Sequence, residues 1–260
     1  MLRFIRTRLE QGTQTIAFPG GDVDFPERFR GRPRLECGGC DAGRCPSGRD
    51  DSPSLLIRDG IDGRAELDLG ACLFAPEEAV GVAGCGVRFS RDHRMATRSA
   101  EALRTTTGEL QLAKALDERT MRLFGRSLRL RSVVAGSCNG CEGELVALGN
   151  VVFDLARFGV EFVASPRHAD GIVITGMMNR NMSHALEATY AAVPDPRLVI
   201  AVGACAASGG PFRGSPEVMG IPQSIPVDLW IPGCPPHPLT ILDGLLRLLG
   251  RVKGDGERRD

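Results

Sequence analysis

The sequence lacks an excess of charge of either sign. Its 32 basic and 32 acidic residues cancel over a length of 260 residues. A chain without a net field has no general electrostatic attraction to nucleic acid or to anionic lipid. We therefore expect no nucleic-acid partner.

Long hydrophobic runs are also missing. No segment approaches the roughly 20 apolar residues that a membrane-spanning helix needs. The first residues, MLRFIRTRLEQG, lack the apolar core and the small-residue cleavage site of a secretory signal. We expect a cytoplasmic protein that touches a membrane only through partners or a short amphipathic edge. In that setting, nine cysteines indicate metal ligation rather than disulfides.

The composition divides the chain into four parts. Residues 1–96 are rich in Gly, Pro, Arg and Asp and have few apolar runs. Residues 97–127 show leucines at helical spacing and predict a helical connector. Residues 128–250 alternate apolar strands with helices, and residues 251–260 form a polar tail.

The third part predicts an α/β fold. Near-continuous apolar strands that alternate with helices are typical of a parallel sheet covered by helices on both faces. The predicted strands are Leu128–Ala135, Val160–Ala164, Gly171–Thr175, Leu198–Val202 and Val227–Ile231. The predicted helices are Glu142–Phe158, Asn181–Val193 and Pro238–Leu248.

Three of these strands run into Gly- or Pro-rich turns that carry cysteines. The cysteines are Cys138, Cys141, Cys205 and Cys234. In an open parallel sheet, ligands bind outside the carboxyl ends of the strands. Four thiolates that converge at this edge predict a site for iron–sulfur or zinc.

The first of these turns contains a Cys-x-x-Cys pair, Cys138 and Cys141, with Gly140 allowing a tight turn before a helix. The helix N-terminus stabilises anionic thiolates. One alternative is that these are buried structural cysteines, but four of them at one sheet edge make this interpretation unfavourable. A second is a thioredoxin-like redox pair, which would leave Cys205 and Cys234 unexplained. Zinc is the nearest alternative to iron–sulfur.

The segments GSCNGCEGE, GACAASGGPF and PGCPPHP, with PRHADGIVITG between them, resemble the small subunit shared by complex I and membrane-bound nickel–iron hydrogenases. The resemblance covers about residues 128–250. It implies a flavodoxin-like domain on which Cys138, Cys141, Cys205 and Cys234 hold one [4Fe–4S] cluster. Complex I members usually have two adjacent cysteines in the first motif, so the Cys-x-x-Cys spacing favours the hydrogenase and formate hydrogenlyase-type branch.

The resemblance implies an electron-transfer subunit of a membrane-associated oxidoreductase complex, which passes single electrons to or from a large [NiFe] hydrogenase-like subunit. The chain alone would not be catalytic. One alternative is a subunit of a quinone-reducing, complex I-type enzyme, whose partner is a 49 kDa-like subunit. Another is a non-redox scaffold subunit with a structural cluster. The family also implies further subunits, a ferredoxin-like or formate dehydrogenase electron donor, and a position on the inner face of the cell membrane.

Two further residues near the cysteine motifs are candidates for tuning the cluster. Glu144 matches an acidic position of the family and could relay protons or adjust the potential; a helix N-terminal carboxylate is the alternative. His237 stands where the family usually has Arg, which predicts pH sensitivity near neutrality. The alternative for His237 is a solvent-facing loop histidine.

The N-terminal part resembles the ferredoxin-like subunit of formate hydrogenlyase-type complexes in the segments MLRFIRTRLEQGTQT, FRGRPRLECGGC and LDLGACLF. That subunit has two four-cysteine motifs, and this chain departs from both. The first motif keeps only Cys37, Cys40 and Cys45, and the second keeps only Cys72. Cys85 is out of register.

A ferredoxin cluster takes its fourth ligand from the other motif, so neither cluster can be completed in the usual way. We predict a small α+β ferredoxin-like module that has lost its cofactors and serves for docking. The alternative is a single vestigial cluster or zinc on Cys37, Cys40, Cys45 and either Cys72 or Cys85.

Overall fold

The computed structural model describes residues 2–21, 23–36, 57–59, 65–75, 86–106, 109–136 and 138–252. Of the N-terminal cysteines it describes Cys72, whereas Cys37, Cys40, Cys45 and Cys85 lie outside the described residues. The loss of cofactors from this region therefore stays a prediction, and the vestigial metal site stays its alternative.

The described helices and strands are as follows. The helices are α1 (Leu2–Gln11), α2 (Glu118–Phe124), α3 (Gly140–Ala147), α4 (Arg180–Ala192), α5 (Ala204–Ser208) and α6 (Pro238–Leu248). The strands are β1 (Pro33–Glu36), β2 (Ile57–Asp59), β3 (Ala65–Asp68), β4 (Gly86–Phe89), β5 (Arg104–Thr105), β6 (Leu128–Val134), β7 (Val160–Phe162), β8 (Gly171–Thr175), β9 (Leu198–Val202) and β10 (Leu229–Ile231). No helix among these is long and apolar enough to cross a membrane.

Strands β6 to β10 form a five-stranded sheet in the order β10-β9-β8-β6-β7, and every neighbouring pair is parallel. Numbered within the sheet, this is the order 2-1-3-4-5 of flavodoxin-like folds. The predicted α/β fold is confirmed. Strands β8 and β9 were predictable because central strands buried on both faces of a parallel sheet are apolar at every position.

The two faces of this sheet have separate cores. On one face, Val173 and Ile200 pack with leucines of α3 and α6. On the other, Ile172 and Val199 pack with Leu186 of α4. The alternation of side chains along each strand sends neighbouring residues to opposite faces, so helices cover both sides.

The N-terminal region packs directly against α6. Ala96 belongs to the same core as the leucines of α6, and a Cβ on Gly244 would come within 2.8 Å of the Cβ of Ala96. Strand β1 pairs with β4, and β2, β3 and β5 form a second antiparallel sheet. The ferredoxin-like character of this region stays a prediction.

The first predicted helix after β6 is wrong in extent. The segment Glu142–Phe158 is not one helix: α3 ends at Ala147, and only Leu155–Phe158 is helical again, as a short 3-10 turn. The side chain of Asn150 accepts hydrogen bonds from the backbone N–H groups of Val152 and Phe153, at 2.8 and 3.1 Å. This local turn competes with continuation of the helix.

The described part of the predicted helical connector is mostly irregular rather than helical. Thr97 forms a β-bridge with Trp230, and Leu116 N–H donates to the carbonyl of Leu248 at 3.0 Å. Only α2 is a regular helix among the described residues of this segment, capped by Asp117, whose carboxylate accepts from the N–H groups of the following turn. The buried leucines of the segment find their partners on the body of the protein rather than along one helix face.

Candidate metal centre

The predicted cysteines follow strands that end at one edge of the sheet. Cys138 follows β6, Cys205 lies in the first turn of α5 just after β9, and Cys234 follows β10. Cys141 is in the first turn of α3. Since these strands are parallel, their carboxyl ends share one edge. The structure therefore brings the three cysteine-bearing loops to the same side of the molecule.

Backbone hydrogen bonds tie two of these loops together. Gly203 N–H donates to the carbonyl of Ile231, and Ala204 N–H donates to the carbonyl of Gly233, both at 2.8 Å. The turn that carries Cys205 is thereby fixed against the turn that carries Cys234. These backbone hydrogen bonds fix the main chain at Cys205 relative to the main chain at Cys234.

Two glycines hold the backbone against the sulfurs. A Cβ on Gly203, whose φ is +92°, would lie 2.5 Å from Cys141 Sγ. A Cβ on Gly210, whose φ is +54°, would lie 2.8 Å from Cys205 Sγ. At either distance an added Cβ would displace the sulfur, and the positive φ favours glycine at both positions as well.

The four thiols influence one another electrostatically. The pKa of Cys141 is raised to about 12, chiefly by burial and further by the negative charges of Glu142 and the other three cysteines. Burial, Cys234 and Cys138 raise the pKa of Cys205 to about 11. The pKa of Cys234 is raised by burial and by the charge of Cys138. Each of the four thus lies within electrostatic range of the other three.

This donor set fits a cationic centre. Thiols with raised pKa values stay protonated near pH 7, and a metal centre replaces the protons because its ligands must be thiolates. Thiolate donors suit iron–sulfur clusters and zinc alike. Within the described parts of the chain, no group of three or more His, Cys, Asp or Glu residues is gathered as a single-ion site.

Glu142 was not among the predicted site residues. Its Oε1 accepts a hydrogen bond from the Thr175 hydroxyl, which is buried at the end of β8. Its charge contributes to the raised pKa values of both Cys141 and Cys205. Its position directly after Cys141 was the only sequence signal for it.

Glu144 lies beside the Cys234 loop. It is half-buried, and burial raises its pKa. Together with Cys234, Arg30 and His237, it lines a cavity of about 260 Å³. A raised pKa makes a carboxyl group a better proton carrier near neutrality, but the relay role stays a prediction.

His237 is not a solvent-facing loop residue, so that alternative is wrong. It is the N-cap of α6, and its Nδ1 accepts a hydrogen bond from Leu239 N–H at 3.2 Å. Its ring lies 5.4 Å from the rings of both Phe25 and Phe29, measured between centroids. Burial lowers the pKa of His237. A neutral imidazole results, because a protonated Nδ1 could not accept the capping bond.

Cys72 is close to the candidate centre although it belongs to the N-terminal region. It is fully buried, and its Sγ accepts from Phe74 N–H at 3.2 Å. Burial raises its pKa to about 12, and the charge of Cys234 contributes. The N-terminal region therefore packs against the edge of the sheet where the four cysteines lie.

Comparison with known proteins identifies the family. The family model described as NADH ubiquinone oxidoreductase, 20 Kd subunit, matches residues 138–248. A probable membrane-bound hydrogenase subunit, mbhJ of Pyrococcus furiosus, is 40% identical over 150 residues, which are 55% of this chain and 90% of that protein. The chain belongs to the 20 kDa subunit family of NADH–ubiquinone oxidoreductase. The resemblance inferred from the sequence is confirmed.

Members of the 20 kDa subunit family from both branches match this chain. One of them, from the NADH-quinone oxidoreductase of Citrifermentans bemidjiense, is 44% identical over 115 residues, covering 44% of this chain and 68% of that protein. A chain of the membrane-bound sulfane sulfur reductase, an archaeal respiratory membrane complex, is 31% identical, with a TM-score of 0.45 over 52% of this chain and 75% of that one. The family match includes all four candidate cysteines.

Proposed function

We propose that this chain is the electron-transfer subunit of an oxidoreductase complex and that Cys138, Cys141, Cys205 and Cys234 hold its single [4Fe–4S] cluster. The observation that carries the proposal is the placement of four mutually interacting thiols at the carboxyl edge of one parallel sheet. Membership of the 20 kDa subunit family supports it.

A bound cluster supplies reversible one-electron chemistry. The residues of this chain set the conditions for it. Gly203 and Gly210 let the backbone approach two ligand sulfurs closely. Glu142 places a negative charge next to the site and is held there by Thr175. The chain needs no substrate pocket of its own for this task.

The electron partner is a large subunit of the [NiFe] hydrogenase or 49 kDa type. The support is that named relatives are subunits of a membrane-bound hydrogenase and of NADH-quinone oxidoreductases. We place the complex at the inner face of the cell membrane, with other subunits and a ferredoxin-like or formate dehydrogenase donor. The Cys138–Cys141 spacing favours the hydrogenase branch, and nickel in the purified complex would decide for it; a nickel-free complex that reduces quinone would decide against it.

Anaerobic purification of the full chain tests the cluster. We expect about four irons and four labile sulfides per chain and an EPR signal on reduction with dithionite. The Cys234→Ser variant should lose the cluster. Cys72→Ser is the matched control, since it changes a buried thiol next to the same loop that we do not assign as a ligand.

Four results would each contradict a different part of the proposal. Full iron content in Cys234→Ser would refute the ligand assignment, and zinc without iron would refute the cluster. Iron without a reducible signal would favour the scaffold alternative. About eight irons per chain would show that the N-terminal cysteines carry a second cluster.

A further inference from the structure

Helix α1 exposes large apolar side chains. Phe4, Ile5 and Leu9 are 75%, 50% and 78% exposed. Ile5 and Leu9 are four residues apart, so they share one face of the helix. Large apolar side chains clustered on an exposed helix indicate a surface that another apolar phase covers.

The same helix is locally basic in a chain without net charge. It carries Arg3, Arg6 and Arg8 against a single acidic residue, Glu10. Glu10 is paired with Arg6 at 2.7 Å, and both side chains are exposed. Two positive charges therefore remain in excess beside the apolar face.

Helix α1 is attached to the cluster domain at its C-terminal end. Gly12, with a φ of +61°, follows the helix. The Thr15 hydroxyl donates to the carbonyl of Val151 at 2.7 Å, and Ile16 N–H donates to the carbonyl of Val152 at 3.1 Å. Val151 is itself 63% exposed. The helix thus leaves the body next to a turn that also presents an apolar side chain.

We propose that α1 lies flat on an anionic lipid bilayer, with Ile5 and Leu9 inserted between headgroups and the arginines paired with lipid phosphates. Ten residues span only about 15 Å, which is half the hydrocarbon thickness. An amphipathic helix with arginines beside an apolar face has the chemistry of an interfacial helix. The inference rests on the proposed membrane location but assigns the contact to this chain itself rather than to its partners.

Cosedimentation of the full, cluster-loaded chain with vesicles tests this. We expect binding to vesicles of phosphatidylglycerol and phosphatidylcholine at low salt, loss of most binding at high salt, and weak binding to phosphatidylcholine alone. Each arginine near the surface contributes about fivefold to the affinity. Replacing Arg3, Arg6 and Arg8 by Gln should weaken binding about a hundredfold, and Ile5→Glu with Leu9→Glu should abolish it.

Helix α2 offers a matched control, because Leu123 is 55% exposed on it and two arginines are exposed beside it. Leu123→Glu, and the pair Arg119→Gln with Arg122→Gln, should leave vesicle binding unchanged. Equal loss from the α2 variants, or no binding of the unmodified chain to anionic vesicles, would overturn the proposal.

A protein occupant of α1 would give a different result. The Ile5→Glu, Leu9→Glu chain would then still bind vesicles but would no longer copurify with its large subunit, which also overturns the lipid assignment. Iron content and the EPR signal should be the same in all of these variants. Failure of the electron-transfer proposal would appear in those measurements instead.

Discussion

Replacing Gly203 by Ala should remove the cluster without unfolding the protein. The new Cβ would lie 2.5 Å from Cys141 Sγ, whereas atoms in contact normally stay about 3.5 Å apart. The sulfur would have to move by about 1 Å. Ligand distances in metal sites lie within about 0.2 Å of their standard values, so we expect a shift of this size to cost most of the iron.

The backbone contributes a second cost, which a control can separate. Gly203 has a φ of +92°, and a non-glycine residue at such a position costs about 1–3 kcal/mol. Gly214 has a φ of +85° and open space where its Cβ would be. Gly214→Ala should therefore lower the free energy of unfolding by a similar amount and keep its iron.

The assay is iron and labile sulfide per chain, together with the EPR signal of the reduced protein and urea unfolding. We expect the two alanine variants to have similar losses of stability and very different iron contents. Wild-type iron and an unchanged signal in Gly203→Ala would refute the reasoning. Equal iron loss in Gly214→Ala would show that backbone strain, not the collision with the sulfur, removes the cluster.

The other predictions concern charges. Burial opposes ionisation of Asp92, but hydrogen bonds and charge from Arg94 outweigh it and lower its pKa. The ionised Asp92 therefore stabilises the protein above about pH 3.8, and this stabilisation is lost as the pH falls through the lower pKa of the folded state. In acid unfolding, the free energy of unfolding of Asp92→Asn should depend less steeply on pH than that of the unmodified protein. Arg247→Leu should cost about 3–5 kcal/mol in urea unfolding because it removes the hydrogen-bonded partner of the buried Asp243. Arg6→Leu breaks an exposed pair of the same 2.7 Å length and i,i+4 spacing and should cost less than about 1 kcal/mol; equal costs would contradict the argument from burial.

The regular elements were predictable where burial alone decides them. Strands β8 and β9 match their predicted ranges in full, because both are buried at every position and read as continuous apolar runs. Helix α6 also matches, with Pro238 at its start. The helix predicted over Glu142–Phe158 failed because apolar spacing continues through a turn that Asn150 stabilises.

The placement of the candidate cysteines was predictable, whereas their surroundings were less so. Cysteines at strand ends can be read from the sequence, and the family match includes all four. Glu142 could not be assigned to the site from the sequence, because a carboxylate next to a cysteine is not specific to any one role. Its hydrogen bond with Thr175 is a tertiary contact, and only the structure shows it. The loop alternative for His237 failed because nothing local shows that Phe25 and Phe29 lie against it.

The sequence by itself determined the parallel sheet and the four thiols at its edge, since both follow from local patterns of apolar residues, turns and cysteines. Only the tertiary structure decided which backbone lies against each sulfur. Gly203 meets Cys141, and Cys72 approaches Cys234, although each pair is separated by tens of residues or more. Such contacts depend on how whole elements pack, and close packing is specified by the shapes of both partners together rather than by either segment alone.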